Sequence, residues 1–354
     1  MGLIERIKDF FNRNKTKALP EPEVSIEESV QENDNSWIID NGTGYYKEQL
    51  TRAEMDIKDF LDKYYQRISQ VNLEQPTTNY SIAYTSLVSS NIPVTQEQYN
   101  CNALKENEFL NNLSINSNFR TAEENGFYHI MTQGHRLPRS EDLARVYLCC
   151  ENENISEIAQ MLCSYNTNPN FYMKFISNQS NTEAPRNEKI VIYCNKNEID
   201  YTLGLIQNCK SINPSIFNTP QNLPFLESRQ GIATVAYEPP TNQYIGLNGQ
   251  TKQIPQSVNA FITNILQESY MEAAREIARV DNNLTFLLDP SNYSQETLYM
   301  QNYPYILETN GDYLLKSIKA KLDFLATKNH ISIEGLNQEQ QYTINQQQRE
   351  EYEL

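Results

Sequence analysis

The chain has 354 residues with 45 acidic and 29 basic side chains, a formal net charge of -16 at pH 7. That length can bury one large core or two ordinary ones, and so negative a chain repels a phosphate backbone unless its basic residues gather on one face, which sets nucleic acid aside as a partner. No run approaches the roughly 20 apolar residues that span a bilayer, and the mean hydropathy is -0.65, so the expectation is a soluble, cytoplasmic protein.

The opening "MGLIERIKDFFNRNKTK" spaces Leu3, Ile4, Ile7, Phe10 and Phe11 for one helical face, with Arg6, Lys8, Arg13, Lys15 and Lys17 largely around the other. A basic amphipathic helix of this kind either lies on an anionic membrane or docks on its own domain, and docking is favoured over peripheral membrane contact through residues 1–17. Residues 18–36 turn acidic, carry Pro20 and Pro22 and lack periodicity, which predicts a flexible linker; residues 1–36 are expected to be dispensable for the fold. A mostly helical or irregular subdomain then covers 37–125. Within it, "TRAEMDIKDFLDKYYQRISQ" has Thr51 and Glu54 at capping-box spacing and Ile57, Leu61, Tyr64 and Ile68 on one stripe, a helix. Residues 76–125, rich in Asn, Ser and Gln, support only irregular structure with one or two strands.

The pattern sharpens between 126 and 238. "ARVYLCC" reads as a strand, "ISEIAQMLCSY" as a helix through Ile155, Ile158, Ala159 and Leu162, and "NFYMKFIS" and "KIVIYCN" as two further strands. "EIDYTLGLIQNCK" gives a second helix through Ile199, Leu203, Ile206 and Cys209, and "GIATVAYE" a fourth strand stopped by Pro239 and Pro240. The order β-α-β-β-α-β predicts an α+β fold, a split βαβ sandwich with helices on one sheet face, flanked by N-terminal and C-terminal helices. "VNAFITNILQESYMEAAREIA" and "DYLLKSIKAKLDFLATK" are the C-terminal helices of a domain running over 126–335, and the polar tail 336–354 reads as disordered. Six scattered cysteines, without a CxxC pair or a preceding signal-peptide pattern, read as reduced thiols.

Chemistry is narrowed mostly by exclusion. Three histidines, His129, His135 and His330, and no His/Cys cluster at ligand spacing predict no metal site. With no phosphate-cradling glycine loop and no GxSxG elbow, no cofactor is expected and a serine nucleophile is set aside. What stands out is Lys174 in the apolar run "FYMKFIS", with Arg145 near the start of the first strand and Arg186 just before the third. If the strands share a crossover, these three cations converge on an anion pocket suited to a phosphorylated group, where Lys174 would be placed to act as a base. The alternative is a strand lysine with a packed stem and a solvated head, and two arginines in ordinary ion pairs. The pattern leaves both open.

"NGFYHIMTQG", "ARVYLCCENENISEIAQML", "FYMKFISNQSN", "PRNEKIVIYCNKNEIDYTLGLIQ" and "NLPFLESRQGIATVAYEPP" together resemble the core of the type III secretion effector HopA family over roughly residues 125–280. The resemblance implies an α+β domain found in effectors delivered into host cells and in lyase components of peptide natural-product pathways, acting on phosphorylated Ser/Thr without a cofactor. On it, Lys174 takes the α-proton, Arg145 and Arg186 hold the phosphate, and His129 or Tyr147 protonates the leaving group. The chain departs from the family in "PFLES", with Leu226 and Glu227 where relatives carry Thr-Lys, and in "IPQSVNAFIT", which lacks a basic residue; Arg229 and Lys252 are the candidates to take over there. Two functions follow as expectations: a phospho-Ser/Thr lyase-like protein, or a non-catalytic effector or adaptor that binds a host or pathway protein. A secretion chaperone or a pathway kinase is the further partner, and secretion into a host cell the alternative location.

Overall fold

The structure, a computed structural model, describes residues 50–333 apart from 71–78, 91–93, 116–117, 137, 140–141, 222, 230, 240–241, 255–256, 293–294 and 332. The helix and linker expected over 1–36, the start of the next subdomain and the tail 336–354 lie outside these residues. The elements described all belong to the unit that begins at Arg52.

Three helices lead: α1 (Arg52–Gln70), α2 (Asn79–Val88) and α3 (Gln96–Ile115). In α1 the expected stripe of Ile57, Leu61, Tyr64 and Ile68 is buried. α2 and α3 correct the expectation of irregular structure over 76–125. The buried stripe of α3 is Asn102, Glu106, Phe109 and Leu113, at helical spacing but with polar residues in half its positions, so no apolar period shows in the sequence. Its start carries a legible signal all the same: Gln98 N–H donates to Thr95 Oγ1 at 3.2 Å and Thr95 N–H to the Gln98 side chain at 2.9 Å, a capping box. Glu106 is buried on this stripe because it accepts from the Asn178 N–H at 2.8 Å. α2 is short, and it packs against both α1 and the long helix α7 (Val258–Ala278), so no single apolar face marks it.

The strands are β1 (Phe119–Glu124), β2 (Phe127–Thr132), β3 (Leu143–Cys149), β4 (Tyr172–Ile176), β5 (Glu188–Asn195), β6 (Glu227–Arg229) and β7 (Ala233–Tyr237), with α4 (Ile155–Tyr165) between β3 and β4, a short α5 (Asn178–Glu183) after β4, and α6 (Ile199–Ile212) after β5. They form a seven-stranded sheet ordered β1-β2-β4-β5-β3-β7-β6, antiparallel at every step. The split βαβ arrangement is there twice. β5 lies between β3 and β4, the strands that α4 connects, and β3 lies between β5 and β7, which α6 connects. The fold is α+β, as the element order predicts. β1 and β2 extend one edge as a hairpin through Asn125 and Gly126, both at positive φ (52° and 76°). At Gly126 any side chain would also collide with Ser180.

One face of the sheet carries Val146, Leu148, Met173, Phe175, Ile190, Ile192 and Val235 into a core with Ile158 and Leu162 of α4, Ile206 and Cys209 of α6, and Phe109 of α3. The other face meets a helical layer. There α7 packs with α2 and with α9 (Tyr303–Lys328), which follows α8 (Glu296–Gln301). A two-stranded ribbon, β8 (Gln243–Ile245) and β9 (Thr251–Gln253), precedes α7. All six cysteines are free, five of them buried. No helix among the described residues is long and apolar enough to cross a membrane.

Candidate functional site

Strand pleating sends alternate residues to opposite faces, so the strands that supply the apolar core also supply a second, chemically different surface. Facing away from α4 and α6 is the row His129, Lys174, Val191, Tyr147 and Thr234, one residue from each of β2, β4, β5, β3 and β7 in direct register. Beside it runs Met131, Tyr172, Tyr193, Arg145 and Ala236. A bulge adds one more group. Leu148 pairs with Ile190 but Cys149 with Glu188, which makes Lys189 an extra residue; it turns to Asn181 Oδ1 at 2.7 Å, and Glu188 joins the face of Tyr147.

Two aromatic rings string the three expected cations together. Arg145 and Lys174 both lie over Tyr193, at 5.1 and 5.8 Å from its centroid. Lys174 and Arg186 both lie over Phe127, at 4.4 and 5.1 Å. Tyr84 of α2 stands at 5.8 Å from the Arg186 guanidinium and covers that end. Arg186 is fixed by a bridge to Ser89, just past α2. Tyr172 stacks on Tyr193 at 4.5 Å and 11°, so the platform under Lys174 is itself held flat.

The cations differ in how they are neutralised. Arg145 is gripped by Glu238, Nε to Oε1 at 2.6 Å and Nη2 to Oε2 at 3.0 Å, with the Glu238 side chain 1% exposed. Burial opposes the charge on Arg145, but the adjacent Glu238 carboxylate outweighs it and holds the pKa well above the usual arginine value. Arg186 has a looser contact, 3.4 Å to Glu188. Lys174 makes no hydrogen bond or ion pair with any described residue; rings are its contacts. His129 Nδ1 lies 2.7 Å from Tyr172 Oη. Its burial, and then the charge of Lys174, lower its pKa to about 4, so the imidazole is neutral near pH 7. Tyr147 is 1% exposed, its hydroxyl has no hydrogen-bond partner among the described residues, and burial pushes its pKa well up, which keeps it a protonated phenol.

The structure therefore brings together Lys174, Arg145, Arg186, His129 and Tyr147. It does not bring Arg229 to them. Arg229 lies on the edge strand β6, separated from β4 by three strands, or about 19 Å at the usual spacing of ~4.8 Å, and is paired with Glu227 at 2.8 Å. Lys252 is on the ribbon, paired with Glu268 at 2.8 Å. Sequence reasoning missed Glu238, and it reached Tyr193 and Phe127 only as motif positions of the resemblance, not as the rings beneath the cations. The one available signal for Glu238 is its place as the acidic end of an otherwise apolar strand, "ATVAYE".

No family model matches the chain, and no curated protein matches it by sequence. Among solved structures, the effector protein from Pseudomonas syringae pv. tomato strain DC3000 superposes at a TM-score of 0.37 and 9% identity, over 62% of this chain and 88% of its own. The effector protein from Pseudomonas syringae pv. syringae strain 61 gives 0.35 at 12% identity over 61% and 88%. The type III effector/phosphothreonine lyase OspF from Shigella flexneri gives 0.29 at 12% over 52% and 89%. Likenesses this shallow leave the function to be argued from the site.

Proposed function

We propose that the face around Lys174 binds the phosphorylated Ser or Thr side chain of a peptide or protein and eliminates its phosphate. The observation that carries this reading is Lys174 itself: an amine set between two guanidinium groups on shared rings, near enough to the buried Glu188 and Glu238 to feel their charge but in ion-pair contact with no carboxylate among the described residues. Guanidinium groups flanking an amine this closely favour an anion among them, and a phosphate dianion offers Arg186 a charge-assisted hydrogen bond while the Lys174 amine stays available as a base. Arg186, held only at 3.4 Å by Glu188, is the guanidinium free to turn to it.

The reaction follows from the row. In its base form Lys174 takes the proton from the substrate Cα; that electron pair forms the Cα=Cβ bond as the Cβ–O bond breaks, and phosphate departs with the bonding pair. Tyr147, which burial keeps protonated and which has no partner among the described residues, offers a hydrogen bond to the departing oxygen without giving up its proton, and the phosphate takes its proton from water. The Lys174 ammonium returns to its base form by giving its proton to water. His129, mostly neutral near pH 7, suits a positioning role through Tyr172 better than that of proton donor. The substrate must be supplied by a kinase acting earlier on the same side chain.

Incubation with a phosphothreonine peptide is expected to give a product lighter by one phosphoric acid in mass spectrometry. Lys174→Met keeps the apolar stem and should lower that turnover about 10²- to 10⁴-fold, the usual contribution of a general base. A product with its hydroxyl restored would mean hydrolysis and overturn the assignment. The second reading, a phosphopeptide-binding adaptor, is favoured by the pairing of Arg145 with Glu238; tight binding with no mass loss would select it.

A further inference from the structure

Lys189, the extra residue of the β5 bulge, takes no part in the chemistry of the Lys174 face, yet it is 5% exposed. With Arg186, Asn187 and Asn152 it lines a cavity of about 310 Å³. Its Nζ donates to Asn181 Oδ1 at 2.7 Å, and Asn181 Nδ2 donates in turn to Asn152 Oδ1 at 2.7 Å, so the amine is held in place from one side. An ammonium has three N–H groups, and Asn181 answers one of them; Lys189 has no ion pair among the described residues. Burial lowers its pKa, a cost that an anion beside it would offset. The carboxylates that share the cavity wall are answered or exposed: Asp56 accepts the Phe225 N–H at 3.3 Å, Asp59 pairs with Lys63 at 2.6 Å, and Glu151 is exposed. Arg186 belongs to two places at once, since it lies over Phe127 on the Lys174 side and also lines this cavity.

We infer that this cavity is an anion site built on Lys189 and shared with Arg186, that its ligand is inorganic phosphate, and that it receives the phosphate released on the Lys174 face. The site stands on the cavity and its buried amine; only the role as an exit rests on the lyase reading. An ion that passes from one side of Arg186 to the other keeps the same guanidinium as partner and gains the free N–H groups of Lys189. The looseness of the Arg186 contact with Glu188, 3.4 Å, leaves that guanidinium able to turn with the ion. The Lys174 face is thereby cleared for the next substrate.

The site is tested without turnover. Thermal unfolding of the full chain is followed against inorganic phosphate, with chloride at matched ionic strength as reference, for the wild type, Lys174→Met and Lys189→Met. The midpoints of the wild type and of Lys174→Met should climb and level off with phosphate, as binding to the native state requires. Lys189→Met should lose that climb or need at least tenfold more phosphate for it. A wild type indifferent to phosphate overturns the site, and so does a Lys189→Met variant with the same phosphate dependence as the wild type. If Lys189→Met does not fold, Lys189→Gln, whose amide still donates to Asn181, decides by the same criterion. The exit role is read from turnover of a phosphothreonine peptide: Lys189→Gln should lower kcat and leave kcat/KM within about twofold, because release follows the chemical step. A fall in kcat/KM equal to that in kcat would place Lys189 in substrate binding and overturn the exit role. A wild type without turnover removes the lyase reading and the exit with it, while the phosphate titration still decides the site.

Discussion

The two faces of the central sheet are built from the same strands, one residue out of step, and they follow opposite rules. Toward α4 and α6, Met173, Phe175, Ile190 and Ile192 are essentially without exposure and carry no side-chain polar atom that needs a partner. Toward the helical layer, their immediate neighbours Lys174, Val191 and Tyr193 lie among Arg145, Tyr147 and His129, and there charge and hydroxyls are buried at a cost. The first face seats α4 and α6 on the sheet by apolar contact alone. Polar groups kept on the second, some of them unsatisfied among the described residues, are where a ligand would repay the cost of burying them.

The contrast can be broken by substitution of adjacent residues. Phe175, packed against Phe109 at 5.8 Å and Tyr128 at 5.4 Å, should cost about 3–5 kcal/mol as Phe175→Ala in a denaturant titration. Lys174→Met, one position away, should change stability by less than about 1 kcal/mol. Equal losses would show that Lys174 is part of the packing and would end the distinction between the faces. Next in size is Tyr147→Phe, which removes a buried hydroxyl with no partner among the described residues and should raise stability by about 1 kcal/mol while lowering turnover. A fall in stability would mean that the hydroxyl is satisfied by water and structural.

The smallest effect is one of pH, and its sign differs between the two sides of the sheet. On the site side, the folded pKa of His129 is about 4, below the ordinary 6.5, so its contribution is complete above 6.5 and is lost as pH falls toward 4. On the core side, burial raises the Glu106 pKa from 4.5 to about 7, so its contribution is complete below 4.5 and is lost as pH rises through 7. Glu106→Gln keeps an oxygen to accept the Asn178 N–H and carries no charge. Above pH 7 it should be more stable than the wild type by less than about 1 kcal/mol in thermal melts. A variant less stable than the wild type there would mean that the ionised form of Glu106 is the one the fold prefers.

What the sequence discloses follows from how local each feature is. The helices α1, α4, α6, α7 and α9 and the strands β3, β4, β5 and β7 can be read from apolar spacing, because period and strand length are properties of a short window. So can the chemical oddity of Lys174 between apolar neighbours. Its neighbours across the sheet cannot be read that way. Tyr193 joins Arg145 to Lys174 only because β5 lies between β3 and β4, a pairing between segments far apart in the chain. Glu238 is hidden for the same reason, since it meets Arg145 only where the end of β7 pairs with β3. α3 fails for a local reason, the polar Asn102 and Glu106 in its buried stripe.

The placement of β5 bears on timing. Its two ladders, to β3 and to β4, must both close before Tyr193 lies under Arg145 and Lys174 together, and Glu238 arrives only with β7. Non-local pairing of this kind is slow compared with helix formation, because distant segments must first find one another. Competence at the site is thus among the last properties the chain acquires as it folds. A nascent chain released before Ala233 would hold Lys174 and the rings, yet lack the strand that leads to Glu238.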